Sequence, residues 1–308
     1  MQGEQLTICT DGQVRTKVEN ALKRLQSFEP PEGYFVAFSG GKDSQCIYHL
    51  CQMAGVKFDA HYNVTSVDPP ELVQFIKRQY PDVIFDIPRY ADGSRITMWD
   101  LIPKHLMPPT VVTRYCCEAL KESNGEGRVV VTGVRWAESA RRKASHDVAS
   151  IKGKPKTTEK MAQELGADYR FNKSGVLVLN DDNDPARRMV EHCYRTQRVM
   201  VNPIVDWETE DVWTYLNEIA KVSHCCLYDQ GHKRLGCIGC PMNKTKAAEE
   251  LERWPKYKEL YLRAFARMIK AREEIGKDNL HPCDWSTPEK VMAWWLQDQK
   301  RRNEHGLD

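Results

Sequence analysis

The chain has no uninterrupted apolar run near the roughly 18 residues that a bilayer-crossing helix requires, and residues 1–12 lack the apolar core of a signal peptide. These absences point to a cytoplasmic protein with no membrane partner. Charge of one sign is also missing: 45 basic against 43 acidic residues leave a formal net charge of +2, which names no partner for the molecule as a whole. There is no internal repeat and no low-complexity block, and a composition of 41% apolar and 29% charged residues excludes a collagenous or largely disordered chain. None of the nine histidines forms an H-x-x-x-H pair, so core or surface roles are expected for them. What the chain does have is 308 residues, enough at about 150 per domain for one large domain or two modest ones, and 11 cysteines. In a reducing compartment so many thiols point to metal or redox chemistry, or to buried thiols, rather than to disulfides.

Val14, Val18, Leu22 and Leu25 recur at helical spacing before Pro30 and Pro31, so residues 13–27 read as an amphipathic helix and 1–30 as an N-terminal extension. Short apolar runs at 34–38, 58–64, 83–87 and 128–133 read as strands, with helices over 45–54 and 70–80. Strands alternating with helices predict an α/β fold, a doubly wound, mostly parallel sheet with helices on both faces, over 31–215. Residues 145–198 are polar and basic and read as an insertion, with a strand and turn near 175–185. From 206 onward the pattern is helical, with candidates at 211–220, 247–271 and 288–301 around a cysteine-rich loop at 224–243, so 216–308 is expected to form a helical, cysteine-rich subdomain. Trp254, Trp285, Trp294 and Trp295 read as helix-packing residues there.

Between the first strand and the first core helix lies Ser39-Gly40-Gly41-Lys42-Asp43-Ser44. Adjacent glycines let the backbone curl tightly, while the following helix aims unpaired N–H groups and the positive end of its dipole at the turn, so an anion belongs there. Ser39 and Ser44 add hydroxyl donors, Lys42 a cation for phosphate, and Asp43 a carboxylate for magnesium or for orienting the loop. The spacing is not that of Walker A. The segment resembles the PP-loop of the ATP pyrophosphatase superfamily (adenine nucleotide alpha hydrolase-like), whose members cleave ATP between the α and β phosphates to adenylate a substrate.

Two further segments resemble the phosphoadenosine phosphosulfate (PAPS) reductase family. One is Gly133-Val134-Arg135 through Ser139 to Arg142, similar to that family's Gly-x-Arg-x-x-x-Ser-x-x-Arg. The other is Asn202-Pro203-Ile204-Val205-Asp206-Trp207 with Asp211-Val212-Trp213. Gly133 ends a strand where α/β sheets bind ligands, and on one helix Arg135 and Arg142 would share a face and clamp phosphate or sulfate oxygens. A solvated basic surface is the competing reading. Asp206, Trp207, Asp211 and Trp213 read as capping and packing residues.

Cys237-Ile238-Gly239-Cys240 has the C-x-x-C spacing that presents two thiolates to a metal from one loop. The tandem Cys116-Cys117 suits a cubane cluster, with several irons a few ångström apart, better than one tetrahedral zinc. The combination favours [4Fe–4S] over zinc or unliganded thiols. Arg114-Tyr115-Cys116-Cys117 with Lys121, and Arg234-Leu235-Gly236-Cys237 with Cys240, are similar to the cysteine elements of cluster-binding sulfonucleotide reductases. Cys225-Cys226 competes for a place in the set. Cys9, Cys46, Cys51 and Cys193 read as packing thiols, and Cys283 stays unassigned.

The reductases of this family carry a nucleophilic cysteine near the C-terminus and a degenerate loop, whereas here His305 stands in the corresponding tail and the loop is intact. The resemblance therefore implies an enzyme that binds ATP with Mg2+ and adenylates an acceptor for sulfur transfer. Lys42, Asp43, Arg135 and Arg142 are its expected catalytic residues, with Gly133 and Ser139 joining the loop in the nucleotide site. A sulfonucleotide (PAPS or APS) reductase releasing sulfite, and a non-catalytic nucleotide- or cluster-sensing module, are the alternatives. A sulfur donor protein or thioredoxin-like reductant is an expected partner. Residues 135–158 hold seven basic side chains (Arg135, Arg141, Arg142, Lys143, Lys152, Lys154, Lys156) against Glu138 and Asp147, a stripe suited to a nucleic-acid acceptor or to a solvated insertion.

Overall fold

The computed structural model describes residues 2–304 except 123, 181, 278, 281 and 282. Among the described residues eight strands form one sheet: β1 (Tyr34–Ala37), β2 (Phe58–Asn63), β3 (Ile84–Asp86), β4 (Val129–Val131), β5 (Ala149–Lys152), β6 (Tyr169–Phe171), β7 (Leu177–Leu179) and β8 (Arg198–Val201), in the order β3-β2-β1-β4-β8-β5-β7-β6. β1 pairs in parallel with β2 and β4, and β4 in parallel with β8. β1 is apolar and almost wholly buried, and β4 is Val-Val-Val with every residue buried. Such runs suit strands covered on both faces by helices. The architecture is the expected mostly parallel α/β sheet with flanking helices.

The insertion is more regular than its composition suggests. β5, β7 and β6 extend the sheet with antiparallel pairing, β5 against β8 and β7, and β6 against β7. Ala149, Ser150 and Ile151 are buried, and so are Leu177, Val178 and Leu179, so these strands belong to the core despite the basic residues around them.

Three helices depart from expectation for identifiable reasons. The N-terminal helix α1 spans Gln2–Ser27 and so begins eleven residues before the expected start at 13. The run 247–271 is two helices, Ala247–Arg253 and Pro255–Glu274. Pro255 has no N–H and disfavours the α region for Trp254, which takes φ −117°, ψ 72°. Residues 135–142 are not one helix either: a 3-10 turn at Trp136–Glu138 is followed by a separate helix at Ala140–Ser145, with Ser139 extended between them. The face shared by Arg135 and Arg142 therefore does not exist.

The chain divides into two compact units, each assembled from distant segments. The first comprises Met1–Tyr62, Gln74–Ile84 and Gly125–Arg234; the second Asn63–Val73, Phe85–Asn124 and Leu235–Asp308. In the second, Ile238 N donates to Val67 O at 2.8 Å, which ties the cysteine loop to the segment after β2 rather than to its sequence neighbours. Its core is aromatic: Trp295 is fully buried, 4.9 Å from the Tyr261 ring and 5.7 Å from that of Phe265. Among the described residues no helix is long and apolar enough to cross a membrane.

Candidate functional site

In the first unit, β1 delivers the chain into the glycine loop and helix α2 (Lys42–Ala54) leaves it. Gly40 takes the left-handed φ of +72° that turns the chain, and Gly41 is the N-cap of α2 with no side-chain cap. The first-turn amides of α2 are thus left to other acceptors. The two serines brace the loop: Ser39 Oγ donates to Ser44 Oγ at 3.2 Å and Ser44 Oγ to Gly41 O at 2.8 Å. Lys42 Nζ lies 2.9 Å from Asp43 Oδ2 and Arg135 Nε 2.7 Å from Asp43 Oδ1, so one carboxylate holds both cations. Arg135 is 2% exposed and also donates through Nη1 to Trp207 O at 3.1 Å.

Gly133 explains how β4 reaches this point. A Cβ there would stand 3.0 Å from the backbone C and O of Asp43, closer than side-chain carbons ordinarily pack, so only glycine lets the end of β4 lie against the first turn of α2. Gly133, Asp43, Lys42 and Arg135 are therefore gathered at the loop. Ser139 and Arg142 have other work: Ser139 Oγ accepts from Arg142 N at 3.2 Å as a helix cap, and Arg142 Nη1 pairs with Glu138 Oε2 at 3.1 Å. Arg135 and Arg142 are thus not paired as a clamp. Of the other expected packing residues, Trp207 is fully buried, Asp211 Oδ2 accepts from Glu208 N at 2.6 Å, and Asp206 Oδ1 pairs with Arg24 Nη1 at 2.8 Å.

Sequence reasoning missed Tyr228. Its hydroxyl accepts from Lys42 N at 2.8 Å, placing a side chain from the cysteine-rich loop at the N-terminal end of α2. Nothing in the sequence around Tyr228 marks that role.

The second unit gathers the other predicted group. Cys116 and Cys117 open the helix Tyr115–Leu120, and Cys237 and Cys240 flank a turn closed by Cys240 N donating to Cys237 O at 3.2 Å. Gly239, at φ +72°, donates from its N to Glu250 Oε2 at 2.8 Å, and Tyr261 Oη donates to Ile238 O at 3.0 Å. A Cβ on Gly239 would meet the Trp295 ring at 3.2 Å. The hydrogen bond from Cys116, then the Arg114 guanidinium, draw the Cys117 thiol down to about 5, while the same hydrogen bond, burial and the other three thiols push Cys116 far up. Burial pushes Cys237 up to about 11 against the pull of Lys121, and the charge of Cys237 in turn holds the Lys121 ammonium more firmly protonated. Cys237 Sγ lies 3.7 Å from Thr65 Oγ1 and 3.9 Å from Asp68 Oδ1.

The four predicted thiols thus influence one another within one unit, whereas Cys225 (buried) and Cys226 (exposed) belong to the first unit. Among the described residues, no three His, Cys, Asp or Glu side chains are gathered as a single metal ion would need. Cys46, Cys51 and Cys193 are buried. The side chain of Cys9, His281, Pro282 and the tail at 305–308, His305 included, lie outside the described residues.

Residues 33–243 match the phosphoadenosine phosphosulfate reductase domain family. The chain belongs to that family. It is 25% identical over 249 residues to the uncharacterized protein MJ0973 of Methanocaldococcus jannaschii, a match covering 79% of this chain and 48% of the relative, so the chain spans about half the length of the curated relative. Among solved structures it resembles Candida glabrata FMN adenylyltransferase in complex with FAD and inorganic pyrophosphate (13% identity, TM-score 0.42, 74% of this chain and 65% of that one). It also resembles Candida auris phosphoadenylyl-sulfate (PAPS) reductase in its phosphate complex (16% identity, TM-score 0.41, 74% and 93%).

Proposed function

We propose that the protein binds ATP with its β and γ phosphates at residues 39–44 and transfers the adenylyl group to an acceptor in preparation for sulfur transfer. The observation that carries this reading is the convergence of the β1–α2 turn, Lys42, Asp43 and Arg135 on one point, with Gly133 holding β4 against it. In the transfer an acceptor oxygen attacks the α phosphorus, the bond to the bridging β-phosphate oxygen breaks, and pyrophosphate leaves. First-turn amides of α2 and the Lys42 ammonium stabilise the charge that builds on that leaving group. Asp43 orients the loop through Arg135. Asp43 is the residue that would hold a magnesium ion accompanying the phosphates, and such an ion would offset their charge alongside the Lys42 ammonium.

Cys116, Cys117, Cys237 and Cys240 are the residues that would hold a [4Fe–4S] cluster. A tandem thiol pair and a C-x-x-C pair in one unit, with the charges of Arg114 and Lys121 acting on Cys117 and Cys237, suit an anionic, multi-iron group. Bound there, the cluster supplies sulfur or electron chemistry. The exposed Arg141, Lys143, Lys152, Lys154 and Lys156 make a nucleic acid the acceptor class to try first.

Anaerobic incubation with Mg-ATP and candidate RNA or DNA acceptors tests this: pyrophosphate and an adenylylated acceptor are expected, with AMP released once a sulfide donor is added and displaces it, and the absence of pyrophosphate with every acceptor contradicts it. The family assignment favours one second reading, reduction of PAPS. It predicts sulfite from PAPS with thioredoxin and loss of sulfite in Cys283→Ser; undiminished sulfite in that variant removes Cys283 from the chemistry.

A further inference from the structure

The first-turn amides of α2 are the donors expected to meet a phosphate, and one of them already has an acceptor: Lys42 N donates to Tyr228 Oη at 2.8 Å. The contact is built. Tyr228 N donates to Cys225 O at 3.0 Å and Gly231 N to Tyr228 O at 3.1 Å, closing a compact turn, and His224 Nε2 pairs with Asp229 Oδ1 at 2.8 Å across it. The phenol ring meets the Trp213 ring edge-on at 4.9 Å and 89°. Burial raises the Tyr228 hydroxyl above the ordinary phenol range, so it is a neutral acceptor.

We propose that Tyr228 sets the phosphate affinity of the loop: its hydroxyl oxygen and a phosphate oxygen compete for the Lys42 amide, and a polyphosphate binds by displacing the phenol. The inference rests on the reading that residues 39–44 take the phosphates of the nucleotide. A phosphate oxygen is the stronger acceptor, since hydrogen bonds to charged groups are roughly twice as strong as neutral ones, so the exchange runs toward the anion. Displacement moves the phenol ring against Trp213, which makes that indole a reporter of loading.

The test is titration of the full chain with inorganic pyrophosphate and with Mg-ATP, by calorimetry and intrinsic fluorescence, in wild type, Tyr228→Phe and Trp213→Phe. Removing the competing oxygen while keeping the ring is expected to tighten both ligands about 2- to 10-fold, the equivalent of one neutral hydrogen bond. A pyrophosphate-induced fluorescence change in wild type is expected to disappear in Trp213→Phe. Wild-type binding with unchanged or weaker affinity in Tyr228→Phe overturns the proposal while leaving the loop reading intact, and weaker binding makes Tyr228 a direct phosphate ligand instead. If Tyr228→Phe fails to fold, pyrophosphate binding without a Trp213-dependent signal overturns it. No binding of either ligand by wild type removes the loop reading, and this proposal with it.

Discussion

Arg135 and Asp43 stand 92 positions apart in the chain and form an ion pair with Nε 2.7 Å from Oδ1 and the arginine side chain 3% exposed. The pair joins the turn after β4 to the first turn of α2, so it fixes the geometry of the glycine loop rather than presenting a free cation to a ligand. Without Arg135 the Asp43 carboxylate keeps Lys42 but loses its buried partner, and Trp207 O loses its donor, which together cost about 1–3 kcal/mol. Arg135→Gln is expected to lower stability by that amount in denaturant unfolding and to weaken Mg-ATP binding as well. A loss below about 1 kcal/mol would place the pair among exposed, inconsequential ones.

Gly133→Ala is expected to destabilise by about 1–3 kcal/mol, because its new methyl group meets Asp43 backbone at 3.0 Å and neither β4 nor α2 can yield cheaply. Gly12→Ala is the matched comparison: it lies in α1 with open space around it, and should gain about 0.5–1 kcal/mol from helix propensity. Equal effects at both positions would contradict the close approach.

The architecture was legible because four apolar runs separated by helical patterns admit few arrangements. β1, β2, β3 and β4 fall within a residue or two of their expected bounds, and the loop at 39–44 lies where strand and helix demanded it. Three kinds of information were not local. β5 is only Ala-Ser-Ile-Lys, and its strand character comes from pairing with β8 and β7. The separation of Arg135 from Arg142 depends on Ser139 capping a new helix, which seven-residue spacing does not reveal. Tyr228 and Lys42 meet across 186 positions, and an alternating or helical pattern carries no trace of such a contact.

With the thiols unliganded, Cys117 should alkylate as a thiolate with an apparent pKa near 5, while Cys116 stays protonated through neutral pH and Cys237 titrates near 11. The signs for stability are opposite. Cys117 is depressed on folding, so its contribution is present above the ordinary thiol range and is lost as pH falls toward 5. Cys237 is raised, so its contribution is present below the ordinary thiol range and is lost as pH rises through about 11. Site-resolved iodoacetamide rates against pH check this; ordinary titration of all three near 8.5 would contradict the mutual coupling.

Serine at Cys116, Cys117, Cys237 or Cys240 is expected to deplete iron and acid-labile sulfide from anaerobically purified protein, and serine at Cys225 or Cys226 to leave both in place. Stoichiometric zinc without sulfide in the wild-type protein would instead make the site a zinc centre. Gly239→Ala should deplete iron as well, since a left-handed residue beside the Trp295 ring has no room for a methyl group.

The account depends most on what residues 39–44 hold, and equilibrium binding of Mg-ATP to wild type and to Lys42→Ala measures that directly. Binding by wild type that weakens about tenfold or more in Lys42→Ala, the loss of one charge-assisted contact, is the predicted result. Equal affinity in the two proteins, or no binding by either, would contradict it.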